Sequence, residues 1–139
     1  MALMEWADSF AVGVAAMDQQ HKQLIEKINQ LDEAVRVSIK NPAIQNVLAL
    51  LVQYTTSHFE DEEQLMRETG FAGLGEHHEV HQKLLRAVTE VLDKVKSGKL
   101  SAAANLAAFL HFWLEKHIAG YDQLYGRHIA GLKTASAAR

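Results

Sequence analysis

The sequence predicts an all-α protein: an antiparallel up-down-up-down four-helix bundle with an ordered N-terminal arm and a short C-terminal helical tail. Three observations carry that prediction. Apolar residues recur at three-and-four spacing in four stretches, each long enough for a helix of roughly 20 residues. Short breaks built on Pro, Gly, Asn and Ser separate them, and short connectors force neighbouring helices antiparallel. No stretch alternates apolar and polar residues as a half-buried strand would. A chain of 139 residues fits a single domain, 1–139, and can bury a core without staples. Within it, 1–17 reads as the arm, 18–118 as the bundle and 119–139 as the tail.

The arm carries Trp6, Phe10, Val12 and Val14 without helical period, so it is expected to lie on the bundle. Asp18 reads as the N-cap of the first helix. The stripe of that helix is His21, Leu24, Ile25, Ile28, Leu31, Val35 and Ile39. Asn41-Pro42 ends it and opens the second, with Asn41 as cap and Pro42 at the first helical position. The second stripe runs Ile44, Val47, Leu48, Leu51, Thr55, His58, Phe59, Glu62, Leu65, Met66 and stops at Gly70. The third starts after Gly73 or Gly75 and runs His77, His81, Leu84, Leu85, Val88, Val91, Leu92, Val95 to Ser97-Gly98. The fourth starts near Ser101, with Leu106, Phe109, Leu110, Trp113, Leu114, His117 and Ile118 on its inner face. The stretch "YDQLYGRHIAGL" adds a turn or two of helix, and Lys133–Arg139 reads as frayed.

Composition removes several functions. The chain has no cysteine, which excludes disulfides, thiolate metal sites and cysteine nucleophiles. A formal charge of −3 gives no reason to expect nucleic acid or an acidic membrane as partner. No apolar run approaches a membrane span, and the acidic N-terminus is a poor signal peptide, so cytoplasm is the expected compartment. The unusual count is eight histidines, and their positions need a reason.

His58 and Glu62 are four apart and share a helix face, as do His77 and His81. Both pairs lie on apolar stripes, together with His21 and His117. Starts of odd helices and ends of even helices meet at one end of an up-down bundle, so all six groups are expected to converge there. Any one of these histidines alone reads more simply as a satisfied core residue; six on inward stripes at one end do not. Asp122 is harder to place. Five helical steps put it about 140° from His117. Either Gly120 only ends the helix and leaves Asp122 solvated, or the helix breaks there and turns Asp122 inward; the inward turn is the expectation.

Burying an unpaired polar side chain costs about 2–7 kcal/mol. Seven such groups would outweigh a typical stability of about 5–15 kcal/mol. They must therefore be bonded to one another or to metal, and imidazoles with carboxylates suit iron, zinc or copper. The string "HHEVH" is a decoy, one residue short of the zinc-protease helix H-E-x-x-H. His78 and His111 fall off the inner face, and His128 is assigned no role. In the run Glu60-Asp61-Glu62-Glu63, only Glu62 is expected to point inward.

The stretches "VGVAAMDQQHKQLIEKIN", "YTTSHFEDEEQLM", "HHEVHQKLL" and "FWLEKHIAGYDQLY" resemble the hemerythrin family, specifically its single-domain bacterial members, over nearly the whole chain. The family pattern is a lone His, then H-x-x-x-E, H-x-x-x-H and H-x-x-x-x-D. It is filled here by His21, His58 with Glu62, His77 with His81, and His117 with Asp122. Phe71-Ala72 departs from the Tyr-Pro of many relatives, in a loop away from these positions. The resemblance implies two iron ions bridged by an oxo or hydroxo group. His77, His81 and His117 would bind one, His21 and His58 the other, and Glu62 and Asp122 would bridge both. The second iron then has one open position, where dioxygen would bind reversibly. Helix geometry and family position put Leu24, Phe59, Trp113, Leu114 and Ile118 around that position as an apolar pocket, a role that overlaps with plain core packing.

The expected function is reversible dioxygen binding for transport, storage or delivery rather than catalysis, in a monomer that hands oxygen to an oxygen-consuming protein. Two alternatives stand beside it. One is a di-iron redox enzyme, a peroxidase or nitric-oxide handler; oxygen-activating bundles are usually richer in carboxylates than a set of five His and two acids. The other is an oxygen or redox sensor, which would need a separate signalling partner.

Overall fold

The computed structural model describes residues 2–137; Met1, Ala138 and Arg139 lie outside the described residues. Its helices are α1 (Ala15–Val37), α2 (Ala43–Glu68), α3 (Leu74–Lys96), α4 (Leu106–His117) and α5 (Gln123–Ala137). A single π-helical turn, Ile118–Asp122, joins α4 to α5 without interruption. The last two helices and this turn together form the fourth rod of an antiparallel four-helix bundle. The C-terminal tail is helical as expected, but α5 runs for 15 residues rather than a turn or two, and residues 133–137, expected to fray, belong to it.

The ends of the rods follow from local chemistry. Asn41 Oδ1 accepts from the Ala43 N–H at 3.0 Å, and Pro42 has helical torsions, so this pair starts α2 as anticipated. Gly70 (φ 67°) and Gly98 (φ 95°) close α2 and α3. In each case the following N–H reaches back five residues, Phe71 to the Met66 carbonyl at 2.9 Å and Lys99 to that of Lys94 at 2.8 Å. That closure needs a left-handed residue in between, which glycine supplies at least cost. After Gly98 a short 3-10 turn, Leu100–Ala103, delays the start of α4 to Leu106, five residues beyond the expected Ser101.

Asp18 is not a helix cap. The helix already starts at Ala15, and Asp18 Oδ1 instead accepts from the N–H of Val12 at 2.8 Å, tying the arm to the first turn of α1. The arm is fixed at three further points. The Asn29 side chain bonds both the N–H and the carbonyl of Met4, at 2.9 and 2.8 Å. Gln123 Nε2 donates to the Ala11 carbonyl at 3.1 Å. At Gly126 the arm passes so close that an added Cβ would sit 2.5 Å from the Val12 carbonyl oxygen, so only glycine fits. Met4, Phe10 and Val12 are buried by these contacts.

The interior has two halves. At one end Leu31, Leu48, Leu51, Val88, Leu92, Leu106 and Leu110 make an ordinary apolar core. At the other, the start of α1, the end of α2, the start of α3 and the π turn surround buried histidines and acids. Phe109 departs from the sequence reading: it is exposed on the outside of α4. Among the described residues, no helix is long and apolar enough to cross a membrane.

Candidate metal centre

The π turn decides the geometry of the polar half. An ordinary helix would place Asp122 well off the face of His117. The wider i→i+5 turn absorbs one extra residue and brings the two onto the same face, with His117 Nε2 3.1 Å from Asp122 Oδ1. The expected break at Gly120 does not occur. Gly120 has no positive φ, and a Cβ there would meet nothing. Asp122 does face inward, fully buried, but the device is a local change of helix type rather than a bend.

The other groups arrive by regular helix geometry. His21 from α1, His58 and Glu62 from α2, and His77 and His81 from α3 are all buried, with His117 and Asp122. Their polar atoms form two clusters: Glu62, His77, His81, His117 and Asp122 on one side, and His21, His58 and Glu62 on the other. Each carboxylate spans the two. Glu62 turns Oε2 to His21 (3.0 Å) and His58 (3.5 Å), and Oε1 to His81 (3.4 Å). Asp122 turns Oδ2 to His21 (3.1 Å), and Oδ1 to His77 (3.0 Å) and His117 (3.1 Å).

These contacts do not satisfy one another. The Nε2 of His117 lies 3.2 Å from the Nε2 of both His77 and His81, so three ring nitrogens crowd one point with at most one proton to share in each pair. Glu62 Oε1 and both Asp122 oxygens are buried without a hydrogen-bond donor. Ligands at about 2.1 Å from a metal ion and at right angles to each other lie about 3.0 Å apart. The shorter spacings observed match those within a coordination shell, and the donor set of imidazole nitrogens and carboxylate oxygens fits a transition metal.

The electrostatics agree. Burial and mutual repulsion oppose ionisation of Glu62 and Asp122, yet the surrounding imidazoles hold both below the usual carboxylate range. The histidines divide. Burial pushes His58 down to about 4, although Glu62 opposes it. Burial also disfavours a charged His21, but the adjacent Asp122 and Glu62 carboxylates, at 3.1 and 3.0 Å, overcome it and hold its proton up to about 10. Two buried negative charges surrounded by ring nitrogens call for cations.

Three groups that the sequence reading did not assign hold the cluster in place. Gln20 Oε1 accepts from His58 Nδ1 at 2.6 Å, and its Nε2 donates to Asp61 Oδ2 at 3.0 Å. Glu63, expected to be wet, is buried and accepts from His81 Nδ1 at 2.8 Å. Tyr125, fully buried, donates from its hydroxyl to Glu62 Oε2 at 2.6 Å, and burial with the Glu62 charge pushes its phenol far up. Tyr125 follows Asp122 by three residues and so shares its helix face, which is a signal available in the sequence. Gln20 and Glu63 each adjoin a residue of the buried cluster, about 100° around the helix, and only the packing of neighbouring rods reveals their partners.

Phe59 stacks flat on the His81 ring at 3.6 Å, and Leu24, Leu114 and Ile118 are buried. Trp113 is half-buried and stacks on the outside of His117 at 4.4 Å, beside a surface cavity of about 250 Å³ lined with Phe109, Phe112 and Tyr121. His78 and His111 sit at the surface, and His128 bonds the Thr69 carbonyl at 2.7 Å.

The comparison with known proteins decides the family. Residues 12–129 match the model of the hemerythrin HHE cation binding domain. The chain belongs to the hemerythrin family. It is 36% identical to a bacteriohemerythrin of Stenotrophomonas maltophilia over 129 residues, 93% of this chain and 83% of that relative. A bacteriohemerythrin of Methylococcus capsulatus is 32% identical over 91% of this chain and 96% of its own length. A myohemerythrin of Riftia pachyptila is 36% identical over 86% and 88%. Among solved structures, a wild-type hemerythrin superposes with a TM-score of 0.85 at 30% identity, covering 91% of this chain and 97% of that one. The buried His77, His81, His117, Glu62, Asp122 cluster is the three-histidine, two-carboxylate arrangement of a hemerythrin metal site.

Proposed function

We propose that the chain binds dioxygen reversibly at a pair of iron ions, with His77, His81 and His117 on one, His21 and His58 on the other, and Glu62 and Asp122 bridging both. The observation that carries this reading is the division of the two carboxylates. Each presents one oxygen to a side with more imidazoles and the other to a side with fewer. Such asymmetry leaves one position free on the side of His21 and His58. An iron pair, when bound, supplies the electrons that make dioxygen binding favourable.

The remaining work belongs to the protein. Tyr125 holds Glu62 through its Oε2, and Gln20 and Glu63 fix the ring orientation of His58 and His81, so the nitrogens aimed inward are set before any ligand arrives. Leu24, Phe59, Leu114 and Ile118 keep water from the free position, and Trp113 covers the outer face of His117. Apart from the ligand positions no acid or base is assigned to the free position, which suits release of unchanged oxygen over its activation. The recipient in this reading is an oxygen-consuming protein.

Metal analysis followed by oxygen cycling tests the proposal. Two irons per chain and repeated return of one visible spectrum on adding and removing oxygen are expected. Rapid one-way oxidation with peroxide consumption would instead support the redox-enzyme reading.

A further inference from the structure

The two halves of the centre are held from outside by different chemistry. On the side of His58, the group touching the ring is the neutral Gln20 amide, which stands between His58 and Asp61. On the side of His81 a carboxylate makes the contact directly, Glu63 Oε2 at 2.8 Å from Nδ1. The other oxygen of Glu63 accepts from His78 Nδ1 at 2.5 Å. His78 is about half exposed and Glu63 is largely covered, so the three residues form a line from the surface to the centre. A carboxylate oxygen can only accept, so the Nδ1 of His81 carries the proton and its Nε2 lone pair is left pointing inward.

We propose that Glu63 is a positioning residue which sets the redox balance of the centre through His81, and that His78 moderates it. The inference rests on the iron assignment above. A carboxylate hydrogen-bonded to a ligand imidazole pulls its proton outward and makes the ring a stronger electron donor. The three-histidine iron is thereby favoured in its oxidised form. His78 draws on the same carboxylate from the opposite oxygen and weakens that pull. The two residues therefore act with opposite signs, which a purely structural role for either would not produce.

The test uses full-length iron-loaded protein, with iron content and the midpoint potential of the iron centre followed by spectroelectrochemistry. Iron content and oxygen cycling of the parent check the assignment separately, so its failure is not confused with failure of this inference. Glu63→Gln keeps a side chain of the same shape and loses the charge. It is expected to retain two irons, shift the midpoint potential upward and slow spontaneous oxidation. His78→Ala is expected to retain two irons and shift the potential downward, with faster oxidation. An unchanged or lowered potential in an iron-replete Glu63→Gln protein overturns the proposal. Where Glu63→Gln does not hold iron, His78→Ala decides alone: a downward shift supports it, and no shift or an upward one overturns it.

Discussion

His117 and Asp122 are five residues apart and meet at 3.1 Å inside the bundle, because the helix between them widens into a π turn. The turn accommodates one more residue than an α-helix would, and everything after it keeps the facing of a helix one residue shorter. Deleting Gly120 should therefore be tolerated. It leaves His117 and the aspartate four apart on a regular helix, again on one face. Two metal ions per chain are expected in that variant by elemental analysis. Inserting an alanine after Gly120 should instead swing the aspartate and Tyr125 about 100° out of the site and lose metal. Equal metal content in the two variants would sink this account of the turn.

Truncating either spanning carboxylate should empty part of the centre. Glu62→Ala and Asp122→Ala each remove oxygens that face both histidine clusters, and each is expected to hold fewer than two irons per chain. Full occupancy in both variants would count against the bridging assignment.

The Tyr125 hydroxyl gives Glu62 its one donor from outside the histidine set. Tyr125→Phe keeps the ring and removes that bond. A hydrogen bond to a charged group contributes about 1.5–3 kcal/mol, so a loss of unfolding free energy of that order, seen as a lower denaturant midpoint, is expected. A midpoint equal to the parent's would mean that the carboxylate is held by its other partners alone.

Gly126 lets the arm cross α5. An alanine Cβ there would lie 2.5 Å from the backbone oxygen of Val12, which cannot yield as a flexible side chain would. Gly126→Ala should destabilise by about 1–3 kcal/mol. Gly120→Ala provides the contrast, since its Cβ meets nothing and helix propensity favours alanine by about 0.5–1 kcal/mol. Thermal melts of the two variants should move in opposite directions.

Protein stripped of metal should be most stable near pH 6.5. Below that value the unfolded chain protonates a histidine that burial holds down to about 4 at position 58, so stability falls as pH drops through this window. The depressed Glu62 and Asp122 add to the loss further into acid. At His21, burial is outweighed by the two carboxylates, which hold its proton up to about 10; that contribution is complete below 6.5 and fades as pH rises toward 10. Urea midpoints at about pH 4.5, 6.5 and 9 should trace a maximum. A monotonic series would contradict the opposed histidines.

Much of this was legible without coordinates, and the reason is periodicity. The stripes of α1, α2 and α3 carried His21, His58, Glu62, His77 and His81 to one end because regular helices translate spacing into direction. Sequence and structure part where helical regularity is lost. At Gly120 a glycine suggested a break, while the backbone changed helix type, which leaves no distinctive composition behind. Asp18 looked like a cap because its side chain type suits one, yet it was recruited by a neighbouring segment instead. Glu63 sat in an acidic run that resembles a solvated surface; its contact with His81 depends on where α3 lies beside α2, a tertiary fact.

The seven inward groups are drawn from every rod of the bundle, the first at position 21 and the last at position 122. Two cations gripped between them, and joined by the shared carboxylates, would close most of the chain into a single covalent-and-coordinate loop. The rods then cannot drift apart one at a time, and escape of either ion becomes tied to opening of the whole molecule. Slow metal exchange and slow global unfolding should thus share one rate, and chelators should strip the protein only as fast as it breathes.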